Sequence, residues 1–393
     1  MSYNSLLLVL AGILPLYIVR FSIFGVPTNA FEVSVLLALC IGVFSINIRR
    51  SWVYALKTMP RGMQIAIALL FLSACISAAI SHEMRVSFGI LKGWFIVPMV
   101  FGFLVMSAIK YNSAMKPRIL DSLMVSGVVV SVIGMLQIGS MPRIASVYDV
   151  PNSLALFIVP LVIIALYRGV LLRNRAYLVS AAIIAIAILA TQSVGAIFAL
   201  IGTGSIGWFA GILPAVFNSK AQRLRVRFLS WVIMAVIFIA FVLSGRIQYL
   251  IPPLLHPGAT NSATVRLQLW DVGIRLIQKH SILGVGLGQF EPAYQAQLHQ
   301  LFTQHVPGLQ AEYVFRDPHN WIISFWLNLG ILGLVSFAYI NYKAIRISIK
   351  SKNLENRAIA LAGISTLLFG LVDTIYWKND LSVLWWMVMV LAF

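Results

Sequence analysis

Twelve apolar runs, most of them near the length needed to cross a bilayer, leave this chain few ways to fold. They lie at about Ser5–Val19, Phe31–Ile46, Met63–Ile80, Gly89–Ile109, Ile119–Ile138, Ser153–Tyr167, Ala176–Ala190, Val194–Phe217, Phe228–Leu243, Trp321–Ile340, Ala358–Tyr376 and Leu381–Phe393. In hydrocarbon, backbone N–H and C=O groups must be satisfied within a helix or around a closed barrel. Barrel-type alternation is absent, so helices are expected. The predicted fold class is an all-α polytopic membrane protein with about 12 transmembrane helices, a single integral membrane domain over residues 1–393. Only 10% of the residues are charged, against roughly 25% in a soluble domain. Cys40 and Cys75 lie in apolar runs and suggest no extracellular disulfide. The first ten residues lack a basic n-region, so the first run is expected to be a retained helix rather than a cleaved signal.

A net charge of +18 would suit a nucleic-acid binder, but its distribution points elsewhere. Nineteen of the 29 Lys and Arg residues fall in every second loop: Arg49 to Arg61, Lys110 to Arg118, Arg168 to Arg175, Lys220 to Arg227 and Lys343 to Arg357. The positive-inside rule assigns these loops, and with them both termini, to the cytoplasm. Topology then explains the charge and no nucleic-acid partner is needed. The one long polar interval, residues 245–320, is predicted to be a large extracytoplasmic loop.

Within that loop, Asn261-Ser262 can cap a helix over about Ala263–His280. Val265, Leu269, Val272 and Leu276 fall on one face, so an amphipathic helix lying along the bundle is expected. Gly284-Val285-Gly286-Leu287-Gly288 follows. Alternating glycines allow a close backbone approach, to a phosphate or simply in a tight turn, and the turn is the default reading. His299 and His305, six apart, suit no shared metal on one helical face, and no metal site is assigned. The loop closes on Asp317-Pro318-His319-Asn320, directly before an apolar run. A histidine at that boundary can move a proton near neutral pH; from the tetrapeptide alone, a helix cap is the favoured reading.

These elements together resemble the O-antigen ligase/polymerase family. The resemblance is carried by Arg266-x-x-x-Trp270, then Ile282-Leu283-Gly284-Val285-Gly286-Leu287-Gly288-Gln289-Phe290, then Pro318-His319-Asn320 and Gly330-Ile331-Leu332-Gly333. Upstream, Pro151-Asn152-Ser153-Leu154-Ala155 is similar to the family's Pro-Asn-x-x-Ala element, and Thr191-Gln192-Ser193-Val194-Gly195-Ala196 to its Ser-Arg-Gly-Ala element. The resemblance implies a metal-independent, GT-C-like glycosyltransferase with no cofactor. Its donor would be a glycan on undecaprenyl diphosphate, used at the outer face of the cytoplasmic (inner) membrane, and its acceptor a lipid, glycan or protein. It further implies His319 as the catalytic residue and Arg266 as a ligand of the donor diphosphate. The family's second arginine is replaced here by Val194, and Arg246 or Arg143 is a candidate to supply the missing cation.

Guanidinium groups suit bidentate phosphate contact, and an acceptor hydroxyl needs a base. Asp317 or Asn320 can orient His319 or cap the following helix. Asn152, Gln192, Ser193, Lys378 and Asp380 are further candidates to line the site. A polymerase of the same family is the nearest alternative. A non-enzymatic lipid or anion transporter lacks the expected repeats and midplane charges. A peptidoglycan polymerase of the shape-and-division type is disfavoured by the Pro-His-Asn element.

Overall fold

A computed structural model describes residues 2–211, 262–303 and 315–393. The chain begins with α1 (Tyr3–Gly12), a short 3-10 turn at Leu14–Ile18, and a hairpin of β1 (Arg20–Ile23) and β2 (Val26–Asn29). Then come α2 (Ala30–Phe44), α3 (Ile46–Thr58), α4 (Arg61–Ala79), α5 (Met84–Tyr111), α6 (Met115–Met135), α7 (Pro151–Leu171), α8 (Arg175–Thr191) and α9 (Val194–Phe209). After the undescribed stretch come α10 (Ser262–Lys279), α11 (Phe290–Thr303), α12 (Trp321–Lys350), α13 (Leu354–Phe369) and α14 (Asn379–Leu391).

Among the described residues five helices, α4, α5, α6, α7 and α12, are long and apolar enough to cross a membrane. The pair α2 and α3 makes a sixth if counted as one span, although it bends by 101°. Helices α1, α8, α9 and α14 are apolar but shorter. The protein is thus a mostly helical, multi-pass membrane protein. The run Phe228–Leu243 lies outside the described residues.

The structure departs from the sequence reading in four places. Arg49, Arg50 and Lys57 sit on helix α3, turned away from α2, rather than in a loop. The hairpin β1–β2 was not foreseen; its turn is made by Phe24 and Gly25, both at positive φ, which suits the twist of a tight hairpin. The run Ala358–Tyr376 is not one helix: α13 ends at Phe369, and residues 370–378 form a non-helical turn. The Gly370 carbonyl accepts the Trp321 N–H at 2.8 Å and ties the turn to the start of α12. The polar-aromatic segment after Gln289, to which the sequence reading assigns no element, contains α11.

Helix α7 is the most enclosed span and packs against α8 and α13; α4 packs against α12, and α5 against α14. Stacked rings join α12 to α14: Phe325 on Phe337 at 3.7 Å between centroids, and Phe337 on Trp385 at 4.6 Å. The amphipathic helix expected at Ala263–His280 is α10. Its Leu269, Val272 and Leu276 are buried against Phe290 and Tyr294 of α11 and against Ile323 and Leu327 of α12. Gly273 allows the approach, since a Cβ there would stand 2.8 Å from Ile323 Cγ2.

The glycine turn after α10 is explained by a break in α12. Gly330 has φ 68° and ψ −175°, which interrupts the helix and separates the Leu327 carbonyl from its natural donor, the Ile331 N–H. In their place, the Val285 N–H donates to the Leu327 carbonyl at 2.7 Å, and the Ile331 N–H donates to the Ile282 carbonyl at 3.2 Å. The Gly288 N–H is taken by Asn328 Oδ1 at 2.8 Å. Gly284, at φ 75°, has to be glycine, because a Cβ would meet the Leu327 carbonyl oxygen at 2.2 Å. The Gly284 N–H goes to the His280 carbonyl at 2.9 Å and the Leu287 N–H to the Ser77 carbonyl at 3.4 Å, so four N–H groups of the turn are taken up within the protein.

Candidate active site

Three separated elements meet where α10 begins, where α12 begins and in the turn after α13. Pro318 excludes helix before it, and Asn320 starts α12 by accepting the Ile322 and Ile323 N–H groups at 2.9 and 3.3 Å. Asn320 also donates to the Leu371 carbonyl at 3.0 Å. Asn320 thus caps α12 and tethers it to the turn after α13. Between them His319 is left-handed, with φ 49°, a conformation held by its own N–H bond to Asp317 Oδ1 at 2.9 Å. The preceding carbonyl, of Pro318, accepts Trp270 Nε1–H at 3.0 Å, which joins the Arg-x-x-x-Trp and Pro-His-Asn elements.

His319 Nδ1 lies 3.1 Å from Asp373 Oδ1 and 3.7 Å from Asp317 Oδ1. Its ring meets the edge of Phe315 at 5.7 Å. Burial disfavours the imidazolium, but the charge of Asp317 and the hydrogen bond and charge of Asp373 outweigh it, against a smaller opposition from Arg266. The pKa is pushed up to about 9. For Asp373, burial favours the neutral acid. The His319 bond and charge, Arg266 and the Thr374 N–H together hold its carboxyl below the ordinary value. Two carboxylates against Nδ1 fix the tautomer: Nδ1 carries a proton, and Nε2 is the nitrogen at which a proton is exchanged.

Asp373 is the hub of the cluster, and the sequence reading did not name it among the site residues. Its Oδ2 accepts Asn152 Nδ2–H at 2.6 Å and stands 3.8 Å from Arg266 Nη2. Arg266 is further held through Nε to the Val372 carbonyl at 2.7 Å. Asn152 Oδ1 in turn accepts from Arg143 Nη2 at 3.0 Å, and Arg143 Nε donates to the Thr191 carbonyl at 2.9 Å. One chain of polar contacts thus runs through Arg143, Asn152, Asp373, His319 and Arg266. A signal for Asp373 existed: it is one of only 11 acidic residues, and it falls inside an apolar run, where an ionisable group is costly.

The other candidates fall into two groups. Lys378 donates to Ser153 Oγ at 2.9 Å, beside Asn152, and lies 3.8 Å from Asp149 Oδ2, so it borders the cluster. Asp317 belongs to it, and also accepts from the Thr374 hydroxyl. Gln192 and Ser193 instead shape the joint between α8 and α9. Gln192 is left-handed at φ 52° and donates to the Pro142 carbonyl at 3.1 Å, while Ser193 caps α9 through the Ala196 N–H at 3.4 Å. Asp380 is buried in the first turn of α14. Arg246 lies outside the described residues. Among the described residues no three His, Cys, Asp or Glu side chains group as metal ligands.

The fold and this cluster define a multi-pass helical membrane protein with a polar centre of two carboxylates, a histidine and two arginines. The family model for O-antigen ligase matches residues 179–338, from α8 into α12. Over these residues the chain is similar to that family, which supports the family resemblance read from its short motifs. No curated protein matches the chain. The match takes in Arg266 and His319; Arg143, Asn152 and Asp373 lie on either side of it.

Proposed function

We propose that the protein transfers a glycan from an undecaprenyl-diphosphate-linked donor to an acceptor at the outer face of the cytoplasmic membrane. The observation that carries this reading is the convergence of Arg266, His319 and Asn152, from three family-like elements, on Asp373. With His319 protonated the cluster holds three cations, Arg143, Arg266 and His319, and two carboxylates, Asp317 and Asp373. A surplus of positive charge suits the diphosphate that leaves in the reaction. Arg143 reaches the carbonyl of Thr191, three positions before Val194, where the family carries its second arginine. It therefore supplies from another part of the chain the cation lost at Val194.

In this mechanism Arg266 and Arg143 bind the diphosphate, and their charge stabilises it as the bond to the first sugar breaks. His319 takes the proton of the acceptor hydroxyl at Nε2 while Asp373 holds Nδ1–H, and the hydroxyl oxygen forms the new glycosidic bond. The base is the neutral imidazole, so transfer quickens as pH rises toward about 9. No step needs a metal or cofactor. The proposal also takes the topology expected from the sequence, about twelve helices with cytoplasmic termini and residues 245–320 outside, which would set this centre at the height of a lipid-linked diphosphate. Purified protein in lipid nanodiscs, given an undecaprenyl-diphosphate glycan and a lipid or glycan acceptor, is expected to form the transferred product. Absence of transfer to every acceptor class, together with movement of the lipid across the bilayer, would favour the transporter. Cysteine labelling from outside at Gln297, but not at Ser219, checks the topology.

A further inference from the structure

At the far end of α10 from Arg266, a cleft of about 780 Å³ opens between the end of α4, the glycine turn and the start of α11. Thirteen helical residues separate Arg266 from Lys279, about 20 Å along the axis, so this cleft is distinct from the reacting centre. Lys279 and His280 line it from α10, His82 and Glu83 from the turn after α4, and Gln289 from the turn before α11. Gln289 is only 3% exposed, and its Nε2 has no hydrogen-bond partner. Buried amide donors in folded proteins are nearly always satisfied, and an exception calls for something to complete it.

The backbone at Gln289 is tied into the glycine turn, its N–H donating to the Gly286 carbonyl at 3.1 Å. Lys279 Nζ is held by Gln297 Oε1 at 2.6 Å and Gln300 Oε1 at 3.3 Å, which fixes the second donor at the rim. Gln289 and Lys279 thus border the same space as Glu83, and Ile80, Leu283 and Pro292 add apolar wall between them. A saccharide carries hydroxyls that both donate and accept and C–H faces that are apolar, so it matches this mixed lining better than an anion or an alkyl chain does.

We infer that this cleft binds saccharide units of a glycan chain remote from the bond being formed. The inference rests on the glycosyl-transfer reading, and two sources of glycan share its chemistry: the distal sugars of the donor and those of the acceptor. Such remote contacts hold ground state and transition state alike, so their loss raises KM and leaves kcat unchanged.

The test uses the full chain in nanodiscs with four substrates: donors carrying one sugar or several repeats, and acceptors carrying one sugar or several. KM for one of the long substrates is expected to rise roughly three- to tenfold in Gln289→Leu, the loss of one uncharged hydrogen bond, and about tenfold or more in Lys279→Ala, the loss of a charged one. KM for its single-sugar counterpart stays as in wild type, and whether the donor or the acceptor arm responds identifies the source. Gln289→Glu keeps the side-chain shape but removes the donor, and is expected to behave like Gln289→Leu if both fold. Equal effects on short and long substrates, no effect on either, or competition by inorganic phosphate that Lys279→Ala abolishes would overturn the inference. Wild-type protein that transfers no glycan at all would instead defeat the reading on which it rests.

Discussion

The two ends of α10 are fastened to the membrane bundle in different ways. At its start, Arg266 is joined through side-chain charge to Asp373 and to the Val372 carbonyl. Past its end, the chain is joined by backbone bonds, Val285 to Leu327 and Ile331 to Ile282, made possible by glycines at 284 and 330. A charged contact at 3.8 Å can be exchanged for a better anion, such as a phosphate. A backbone bond into a broken helix has no such alternative, because in a membrane its loss leaves unsatisfied groups. The first end is therefore built to meet a substrate and the second to hold the loop helices still while it does so.

Substitutions at the two ends should separate activity from stability. The largest effect is expected at His319: His319→Ala and His319→Gln lose about 10²–10⁴ in transfer rate, with normal amounts of folded protein by size-exclusion chromatography. His299→Ala, exposed on α11, changes little. Arg266→Lys keeps the charge but loses the planar fork, and Arg266→Ala loses both. A missing charged hydrogen bond costs about 1.5–3 kcal/mol, tenfold or more in rate when felt in the transition state. Arg143→Ala is expected to give a loss of the same order, and full activity in it would remove Arg143 from the donor site.

The smallest effect on chemistry and the clearest on folding belongs to the glycine end. Gly330→Ala puts a Cβ 2.0 Å from the Ile282 carbonyl oxygen in a left-handed backbone, as Gly284→Ala does against Leu327. Each is expected to lower stability by about 1–3 kcal/mol, read as a lower melting temperature, while the protein that remains folded keeps the wild-type pH profile. A shifted profile in Gly330→Ala would mean that the two ends are not independent.

Much of this division was legible in the sequence. The 4-3-4 spacing of Val265, Leu269, Val272 and Leu276 fixes the buried face of α10, because helical periodicity is a local property. Pro318 and Asn320 likewise announce the start of α12. The hub was not legible. Asp373 is 54 residues from His319 and 221 from Asn152, and nothing local says that α13 stops at Phe369 and turns that carboxylate toward them. The break at Gly330 is similar. Its motif was visible, but its meaning depends on Ile282 and Val285, which reach it only through tertiary packing.

The claim on which the mechanism depends most is that Asp373, together with Asp317, raises the basicity of His319, and the pH–rate profile of Asp373→Asn tests it. In wild type, transfer is expected to climb about tenfold per pH unit and level off near pH 9, where the imidazolium gives up its proton. Asparagine removes one of the two carboxylates that hold the proton on, and Asp317 remains. The limb is therefore expected to move down toward the ordinary histidine value of about 6.5, with a lower plateau because Nδ1 is less firmly oriented. A limb that stays where it is in wild type would contradict the pairing of His319 with Asp373 as the device that activates the acceptor.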